Sequence, residues 1–374
     1  MSIARDFGKI SLLGYFPDSF GNVGQMPQIL KQAGMKAIAF GRGVKPTGMN
    51  NSISEGEDYS SQFSEMYWQS PDGSTLPAIL FANWYHNGYE MPADGNREYW
   101  DRVLSNTEKY ASTKELLLMN GCEHQPGQCD LSAALEKARE YYHLRTEWTM
   151  LGNGQQGVPQ LRFAVPLGYE PETYRYAIPY GMIDRTPLAQ DVPAIGLGCA
   201  MPKNGDSALC LMCDTKYGFR GDREGLSVNL IRSSYEPDSY PEVGTLMIHI
   251  AVGACDTDKH NLALLREQFI HPIITRTCAS GPPTEEASKS LIGLDGGILS
   301  SVKEADNGNG WIVRVYNPSE KESAMKLWFT DTKCKAYCCD FLENDLELLS
   351  VKDGETVEYM LNGNEICSFR MIME

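Results

Sequence analysis

Residues 10–43 read ISLLGYFPDSFGNVGQMPQILKQAGMKAIAFGRG, and the stretch contains two strand signals with a helix signal between them. Its first seven residues are an apolar run of strand length, followed by a polar loop. A helix is predicted to begin near Pro27, since proline's missing N–H is harmless at a first helical position, and to end at Gly34. KAIAF (36–40) then predicts a second strand, so the stretch is interpreted as a β–α–β unit.

The same alternation continues through the N-terminal part of the 374-residue chain. Residues 76–82 and 114–120 predict strands, and residues 97–111 predict a helix. Asp130 is a residue type that favours a helix N-cap, and a helix is expected after it. Residues 1–148 are therefore predicted to form an α/β domain.

The pattern changes after residue 150, where the polar stretch GNGQQG indicates a flexible connection. Residues 149–162 are interpreted as a linker or a deletion junction. Residues 163–374 predict an all-β, sandwich-like domain, with two sub-sheets split near 278–290. One amphipathic helix is expected, over 258–270.

Two local patterns sharpen the all-β prediction. Met325, Leu327 and Phe329 alternate with polar or half-buried positions, as in a strand with one buried face. The pair Asn362-Gly363 separates the last two predicted strands, and this dipeptide is a strong signal for a tight hairpin.

Composition excludes several classes of function. The chain has 33 Lys and Arg against 49 Asp and Glu, a net charge of −16 that repels nucleic acid and anionic membranes. No apolar window has transmembrane length, and the first residues lack a signal peptide's hydrophobic stretch. We expect a soluble cytoplasmic protein with no nucleic-acid or membrane partner.

The 11 cysteines show no regular spacing. Cys210 and Cys213 form the single C-x-x-C, inside the apolar run ALCLMCD, and no second pair or histidine motif follows at zinc-ligand spacing. A buried structural role and a reducing compartment are therefore expected.

Polar side chains follow each predicted strand of the N-terminal part. They are Asp18, Arg42, the pair Asn83 and His86, and the pair Glu123 and His124. The carboxyl ends of parallel strands share one face, where ligands bind. Two carboxylates and an arginine there indicate acid–base or nucleophilic chemistry on a polar substrate. The alternative is that Asp and Asn serve only as turn residues.

Several segments resemble the α-mannosidases of glycoside hydrolase family 38. Residues 14–43 resemble that family's signature region, and residues 66–74 and 116–126 (LLLMNGCEHQP) resemble further catalytic-domain segments. The β half matches family segments in the expected order at residues 174–185, 213–219, 226–244 and 312–320. The resemblance implies an incomplete parallel β/α barrel-like catalytic domain followed by a β-sandwich domain.

The resemblance also implies a zinc-dependent, retaining hydrolysis of α-mannosidic bonds in glycans or small mannosides. Asp18, in the motif P-D-S-F-G, matches the nucleophile that is also a zinc ligand. Glu123 aligns with the acid/base carboxylate, where the family pattern has Asp. Phe20 and His124 are assigned to substrate binding, and Arg42 is expected to hold Asp18 or substrate hydroxyls. The alternatives are a turn Asp18, a core-filling Phe20 and a surface ion pair for Arg42.

The sequence departs from the family at the metal. None of the six histidines begins an H-x-D motif, and there is no His-Asp dipeptide, so Asp18 is the single match among four expected zinc ligands. His86 and His124 share its predicted face and are the alternative ligands. The expectation is a chain lacking the family's first strand and helical bundle, whose exposed sheet edge favours a homo-oligomer. The competing hypothesis is an inactive relic or a non-catalytic carbohydrate-binding protein.

Overall fold

The computed structural model of the chain describes residues 11–43, 63–81, 85–121, 127–139, 160–232, 246–274, 290–330 and 332–374. The chain divides into two compact units: the first comprises residues 1–158 and 234–241, and the second comprises 159–233 and 242–374. No helix of the described residues is both long enough and apolar enough to cross a membrane.

The described part of the first unit is built on a four-stranded sheet with three helices. Its strands are β1 (Leu13–Phe16), β2 (Ala37–Phe40), β3 (Glu65–Gln69) and β4 (Thr75–Leu80), and its helices are α1 (Met26–Gln32), α2 (Arg97–Glu108) and α3 (Leu131–Arg139). The strand order is β1-β2-β4-β3, with β1, β2 and β4 parallel and β3 antiparallel to β4. The predicted β–α–β unit is confirmed. The described strands form an open sheet, so the barrel-like arrangement stays a prediction.

Local sequence explains the helix boundaries of this unit. Pro27 lies in the first turn of α1, and Gly34 follows that helix with φ +79°, a backbone conformation that glycine adopts without strain. The Asn96 side chain caps α2 by accepting a hydrogen bond from the Tyr99 backbone N–H at 3.1 Å. Trp100 of α2 is fully buried in a cluster with the apolar face of α3.

The strand predicted over 114–120 is wrong. The residues are not part of the described sheet, and the Asn87 side chain bonds their backbone: Met119 N–H donates to Asn87 Oδ1 at 2.7 Å, and Asn87 Nδ2 donates to the Leu117 carbonyl at 3.1 Å. Gly88 N–H also donates to the Met119 carbonyl. The Asn87 side chain thus makes hydrogen bonds that a neighbouring strand would otherwise make to this segment. The apolar run in the sequence gives no sign of this substitution.

The second unit is almost entirely β. Its strands before residue 275 are β5 (Gln160–Pro166), β6 (Pro171–Ile178), β7 (Gly181–Arg185), β8 (Val192–Pro193), β9 (Leu197–Pro202), β10 (Ser207–Cys213), β11 (Gly218–Gly221), β12 (Gly225–Arg232) and β13 (Ile250–Asp256). They form two sheets, ordered β13-β10-β9-β6-β7 and β5-β12-β11-β8. Tyr174, Tyr176 and Leu211 of one sheet share a core with Phe219 and Val228 of the other.

The strands after residue 289 form a second pair of sheets. They are β14 (Ile292–Asp295), β15 (Ile298–Glu304), β16 (Trp311–Tyr316), β17 (Ser323–Phe329), β18 (Cys334–Cys339), β19 (Asp345–Leu349), β20 (Val351–Lys352), β21 (Thr356–Leu361) and β22 (Ile366–Met373). The orders are β14-β17-β21-β20 and β15-β16-β22-β18-β19. The predicted alternation is confirmed, since Met325, Leu327 and Phe329 are buried in the shared core. Most of the predicted split near 278–290 lies outside the described residues.

The predicted hairpin at Asn362-Gly363 is wrong. β21 pairs with β17 and β20, whereas β22 pairs with β16 and β18, so this turn joins two different sheets. A Cβ on Gly363 would lie 2.1 Å from the Glu320 carbonyl oxygen, and Asn364 has φ +58°. The dipeptide therefore marks a tight turn and a close backbone approach, but not a hairpin.

The predicted helix at 258–270 is confirmed as α4 (Lys259–Ile270). Asp258 is its N-cap, accepting hydrogen bonds from the backbone N–H groups of His260 and Asn261. Leu262 and Ala263 are fully buried, and the helix packs on β7, β10 and β13. It covers the side of that sheet that faces away from the sandwich core.

Candidate active site

The two parallel strands β1 and β2 end side by side. Their register pairs Phe16 with Phe40, and Gly41 N–H donates to the Phe16 carbonyl at 3.1 Å just beyond the paired ends. Asp18 and Arg42 each follow two residues after these paired phenylalanines. Their side chains meet, with Arg42 Nε 2.5 Å from Asp18 Oδ1.

Glycine allows the two loops after the strands to approach this closely. A Cβ on Gly41 would lie 2.0 Å from the Pro17 carbonyl oxygen, and Gly43 has φ +82° with the Ser19 carbonyl 2.4 Å from its ideal Cβ. The Asn22 side chain also donates to the Arg42 carbonyl at 2.8 Å. The Asp18 loop is therefore held against the Arg42 loop by backbone contacts as well as by the ion pair.

The Arg42 guanidinium lies between a carboxylate and two aromatic rings. Its Cζ is 5.0 Å from the Phe20 ring centroid and 5.6 Å from that of Tyr85, and its Nη2 donates to the Tyr85 hydroxyl at 3.3 Å. Tyr85 is buried, whereas 81% of Phe20 is exposed, so Phe20 does not fill the core. The guanidinium of Arg42 is therefore held on one side by the buried Tyr85 and contacts the solvent-exposed Phe20 ring.

His86 belongs to the same neighbourhood. Its ring centroid is 5.6 Å from that of Tyr85, and burial together with the charge of Arg42 lowers the pKa of His86 below its ordinary value. A lowered pKa means that the imidazole is neutral near pH 7. His86 therefore adds a neutral donor or acceptor beside a positive charge.

The arrangement suits a polar ligand with an apolar face, such as a sugar ring. Asp18 keeps 18% of its side-chain surface exposed, while its Oδ1 is buried against Arg42. The Phe20 ring offers a flat surface for the C–H groups of a pyranose. A carboxylate fixed beside such a surface can accept a hydroxyl hydrogen bond or attack an electrophilic carbon.

The described residues around Asp18 do not fit a zinc ion. Among the residues that the structure describes, Asp18 shares no cluster with two further His, Cys, Asp or Glu ligand atoms, and the group facing its carboxylate is a guanidinium. Zinc sites need three or four convergent ligands. The residues described around Asp18 therefore do not supply a zinc site.

The structure brings three of the five predicted site residues together: Asp18, Phe20 and Arg42. Glu123 and His124 lie outside the described residues, as does Asn83. Sequence reasoning missed Tyr85 and Asn22. Tyr85 is adjacent to the predicted residue His86, and Asn22 lies in the polar loop after the first strand, so the strand-end argument offered a signal for both.

Two models of one enzyme family match this chain. The model of the glycosyl hydrolases family 38 N-terminal domain matches residues 2–169, and that of the family 38 C-terminal β-sandwich domain matches residues 297–369. This chain belongs to glycoside hydrolase family 38. By that resemblance it is classed with the glycosidases.

One known protein is similar to this chain in sequence and another is similar in structure. A candidate mannosylglycerate hydrolase of Halalkalibacterium halodurans is 52% identical over 136 residues, which cover 36% of this chain and 15% of that protein. The crystal structure of an α-mannosidase from Enterococcus faecalis superposes with a TM-score of 0.74 over 98% of this chain and 88% of that chain, at 13% identity. The second likeness shows the fold alone.

Proposed function

We propose that this chain carries the nucleophile of a retaining α-mannosidase that acts on small mannosides, mannosylglycerate first among them. The observation that carries the proposal is the Asp18 carboxylate, held 2.5 Å from Arg42 at the ends of two parallel strands and next to the exposed Phe20 ring. The substrate class is suggested by the Halalkalibacterium relative, a candidate mannosylglycerate hydrolase.

The proposed reaction has two displacements at the anomeric carbon. Asp18 attacks C1 as the bond to the leaving oxygen breaks, and Glu123 gives that oxygen a proton. The product is a mannosyl ester of Asp18. Glu123 then takes a proton from water, the water oxygen bonds to C1, and the ester bond breaks to return the Asp18 carboxylate and free mannose of retained configuration.

Arg42 is proposed as a positioning residue for this carboxylate. Its guanidinium is in turn fixed by the Tyr85 hydroxyl and lies over the Phe20 ring. A fixed guanidinium limits the rotation of the carboxylate, which keeps the attacking oxygen in line with C1. The same cation offers charge compensation to a substrate that bears a carboxylate, as mannosylglycerate does.

The proposal also covers the metal, the cellular compartment and the oligomeric state. Zinc dependence is general in family 38, and a metal site here would need ligands beyond those described around Asp18. The thiols of Cys213, Cys334, Cys339 and Cys367 support a reducing compartment such as the cytoplasm. Within the described sheet β1 is an edge strand, which supports a homo-oligomer.

The test compares two carboxylates that each pair with an arginine. Asp18→Asn should lower kcat/KM for mannosylglycerate and for an aryl α-mannoside by at least about 10³-fold, because the nucleophile is lost. Asp191→Asn is the matched control: Arg162 Nη2 lies 2.6 Å from Asp191 Oδ1, at similar exposure and in the other unit. Equal effects of the two variants would overturn the proposal.

A second candidate function is mannoside binding without turnover. It is favoured by the absence of a three-ligand zinc cluster around Asp18 among the described residues. Under this function the folded chain binds mannosides by calorimetry with no product formed, and added Zn²⁺ changes nothing. Zinc-dependent turnover would exclude it.

A further inference from the structure

Three cysteines of the second unit project from one face of a sheet. Cys199 of β9 is directly opposite Cys210 of β10, and Cys255 of β13 is opposite Ala208, two residues before Cys210. Directly opposite residues, and residues two apart on one strand, share a face. Strand register therefore brings together cysteines separated by 11 and 45 residues in the sequence.

The three sulfur atoms converge on one point. All of them lie within 4.8 Å of one another, with 3.9 Å between Cys199 Sγ and Cys255 Sγ, and Cys210 Sγ is in contact with both. One sulfur forms one disulfide, so the two contacts of Cys210 are not both disulfide bonds. Two sulfurs bound at about 2.3 Å to a tetrahedral zinc ion lie roughly 3.8 Å apart. The Cys199–Cys255 pair already has this separation, whereas Cys210 Sγ lies at disulfide distance from both and must draw back from them when the ion binds.

The cluster is buried on one side and partly open on the other. Cys199 and Cys210 are buried, and Cys255 is partly exposed, which leaves one side of the cluster open to an incoming ion. Arg175 of β6 is opposite Cys199 on the same face, and its guanidinium donates to the carbonyl of Thr257, two residues after Cys255. Arg175 Nη2 also lies 2.6 Å from Asp184 Oδ2, so its charge is balanced and does not oppose an incoming cation.

The C-x-x-C motif does not make this site by itself. Cys210 and Cys213 are three residues apart on β10 and therefore point to opposite faces. Cys213 is buried in the sandwich core with Leu211 and Phe219. It belongs to the same strand and is equally buried, but it lies away from the three-cysteine cluster, so it is a natural control.

We propose that Cys199, Cys210 and Cys255 form a three-thiolate site for one Zn²⁺ ion, with the fourth position open on the Cys255 side. The ion ties β9, β10 and β13 together beneath α4 and stabilises the second unit. Binding releases the thiol protons, and its free energy adds to folding. The site is separate from the strand ends that carry Asp18.

The test uses the reduced full chain, stripped of metal with a chelator. One equivalent of Co²⁺ should give thiolate-to-cobalt charge-transfer absorption, and Zn²⁺ should displace it and raise Tm. Cys210→Ser and Cys255→Ser should each weaken binding more than about 100-fold, because each removes a ligand from a site of three. Cys213→Ser and Asp18→Asn should keep the absorption.

Three outcomes would overturn the proposal. They are no thiolate absorption in the folded, reduced chain, undiminished absorption in both the Cys210 and Cys255 variants, and a disulfide within the trio that persists under reducing conditions in peptide mapping. Cys255 is the least buried of the three, so its variant keeps the test valid where Cys210→Ser fails to fold.

Discussion

The chain contains two Asp–Arg pairs of nearly equal geometry in very different places. Asp18–Arg42 and Asp191–Arg162 have N–O distances of 2.5 and 2.6 Å and similar side-chain exposure. Arg42 contacts the rings of Phe20 and Tyr85, whereas Arg162 donates to the Ser227 hydroxyl. Distance alone therefore does not distinguish a catalytic carboxylate from a structural one. The exposed ring and the parallel strand ends are the features on which the proposed role of Asp18 rests.

After Asp18→Asn, the largest expected effect on turnover comes from the backbone beneath the first pair. Gly41→Ala puts a methyl group against the Pro17 carbonyl, 2.0 Å from the ideal Cβ, and must push the Asp18 loop from the Arg42 loop. We expect turnover to fall by about 10²–10³-fold, since misplacement of about 1 Å has such costs, with a loss of about 1–3 kcal/mol in stability. Steady-state kinetics and thermal unfolding measure both.

Gly168→Ala is the control for this substitution. Nothing lies within 4 Å of an added Cβ there, so both activity and Tm should stay unchanged. An active, stable Gly41→Ala variant would show that the two loops need not touch.

Loss of the cation should have the next largest effect. Arg42→Gln removes the partner of Asp18 and should lower kcat by about 10²-fold with little change in KM for a neutral mannoside, because the attacking oxygen loses its orientation. For mannosylglycerate KM should rise as well. Arg42→Lys should restore part of kcat. Arg162→Gln should leave both constants unchanged, and a matching loss there would remove the distinction between the two pairs.

The exposed ring should matter for binding and not for folding. Phe20→Ala should raise KM about tenfold with unchanged Tm, because 81% of the side chain is already exposed. Phe219→Ala, at a fully buried ring of the other unit, should instead cost about 3–5 kcal/mol in unfolding free energy. A large drop in Tm for Phe20→Ala would make that ring a packing residue.

The smallest effect concerns pH. The pKa of His86 is lowered in the folded chain by burial and by Arg42, so the unfolded chain takes up this proton at a higher pH than the folded chain. The resulting stability is complete above the unfolded pKa of about 6.5 and is lost as the pH falls below it. His86→Gln should flatten the fall in Tm between about pH 7 and 5.

Much of the fold could be predicted because its signals are local. Pro27, Gly34, Asn96 and Asp258 mark helix ends through their own side chains or backbone, and the structure has helices there. The two wrong predictions, the strand over 114–120 and the hairpin at Asn362-Gly363, concern segments whose structure is set by residues distant in the sequence. Asn87 bonds the backbone of 114–120, and the turn at Gly363 joins strands of different sheets.

Part of the candidate active site could also be predicted from local sequence signals. Asp18 and Arg42 follow neighbouring parallel strands, and that rule was enough to expect them on one face. The register between neighbouring strands could not be predicted. It pairs Phe16 with Phe40, which brings Asp18 next to Arg42, and it pairs Cys199 with Cys210, which brings two members of the cysteine cluster together. Such pairings join residues far apart in sequence, so spacing along the chain does not show them.

The most direct test of the central claim is to trap the covalent intermediate. In a fluorinated α-mannosyl fluoride, the ring fluorine destabilises the oxocarbenium-like transition states of both displacements, while the fluoride leaving group speeds the first, so the mannosyl ester accumulates. The labelled chain is then digested and sequenced by mass spectrometry. We predict one fluoromannosyl group per chain, on Asp18, with none in Asp18→Asn and full labelling in Asp191→Asn. A label on another carboxylate, or no label on a folded chain that turns over mannosides, would contradict the account.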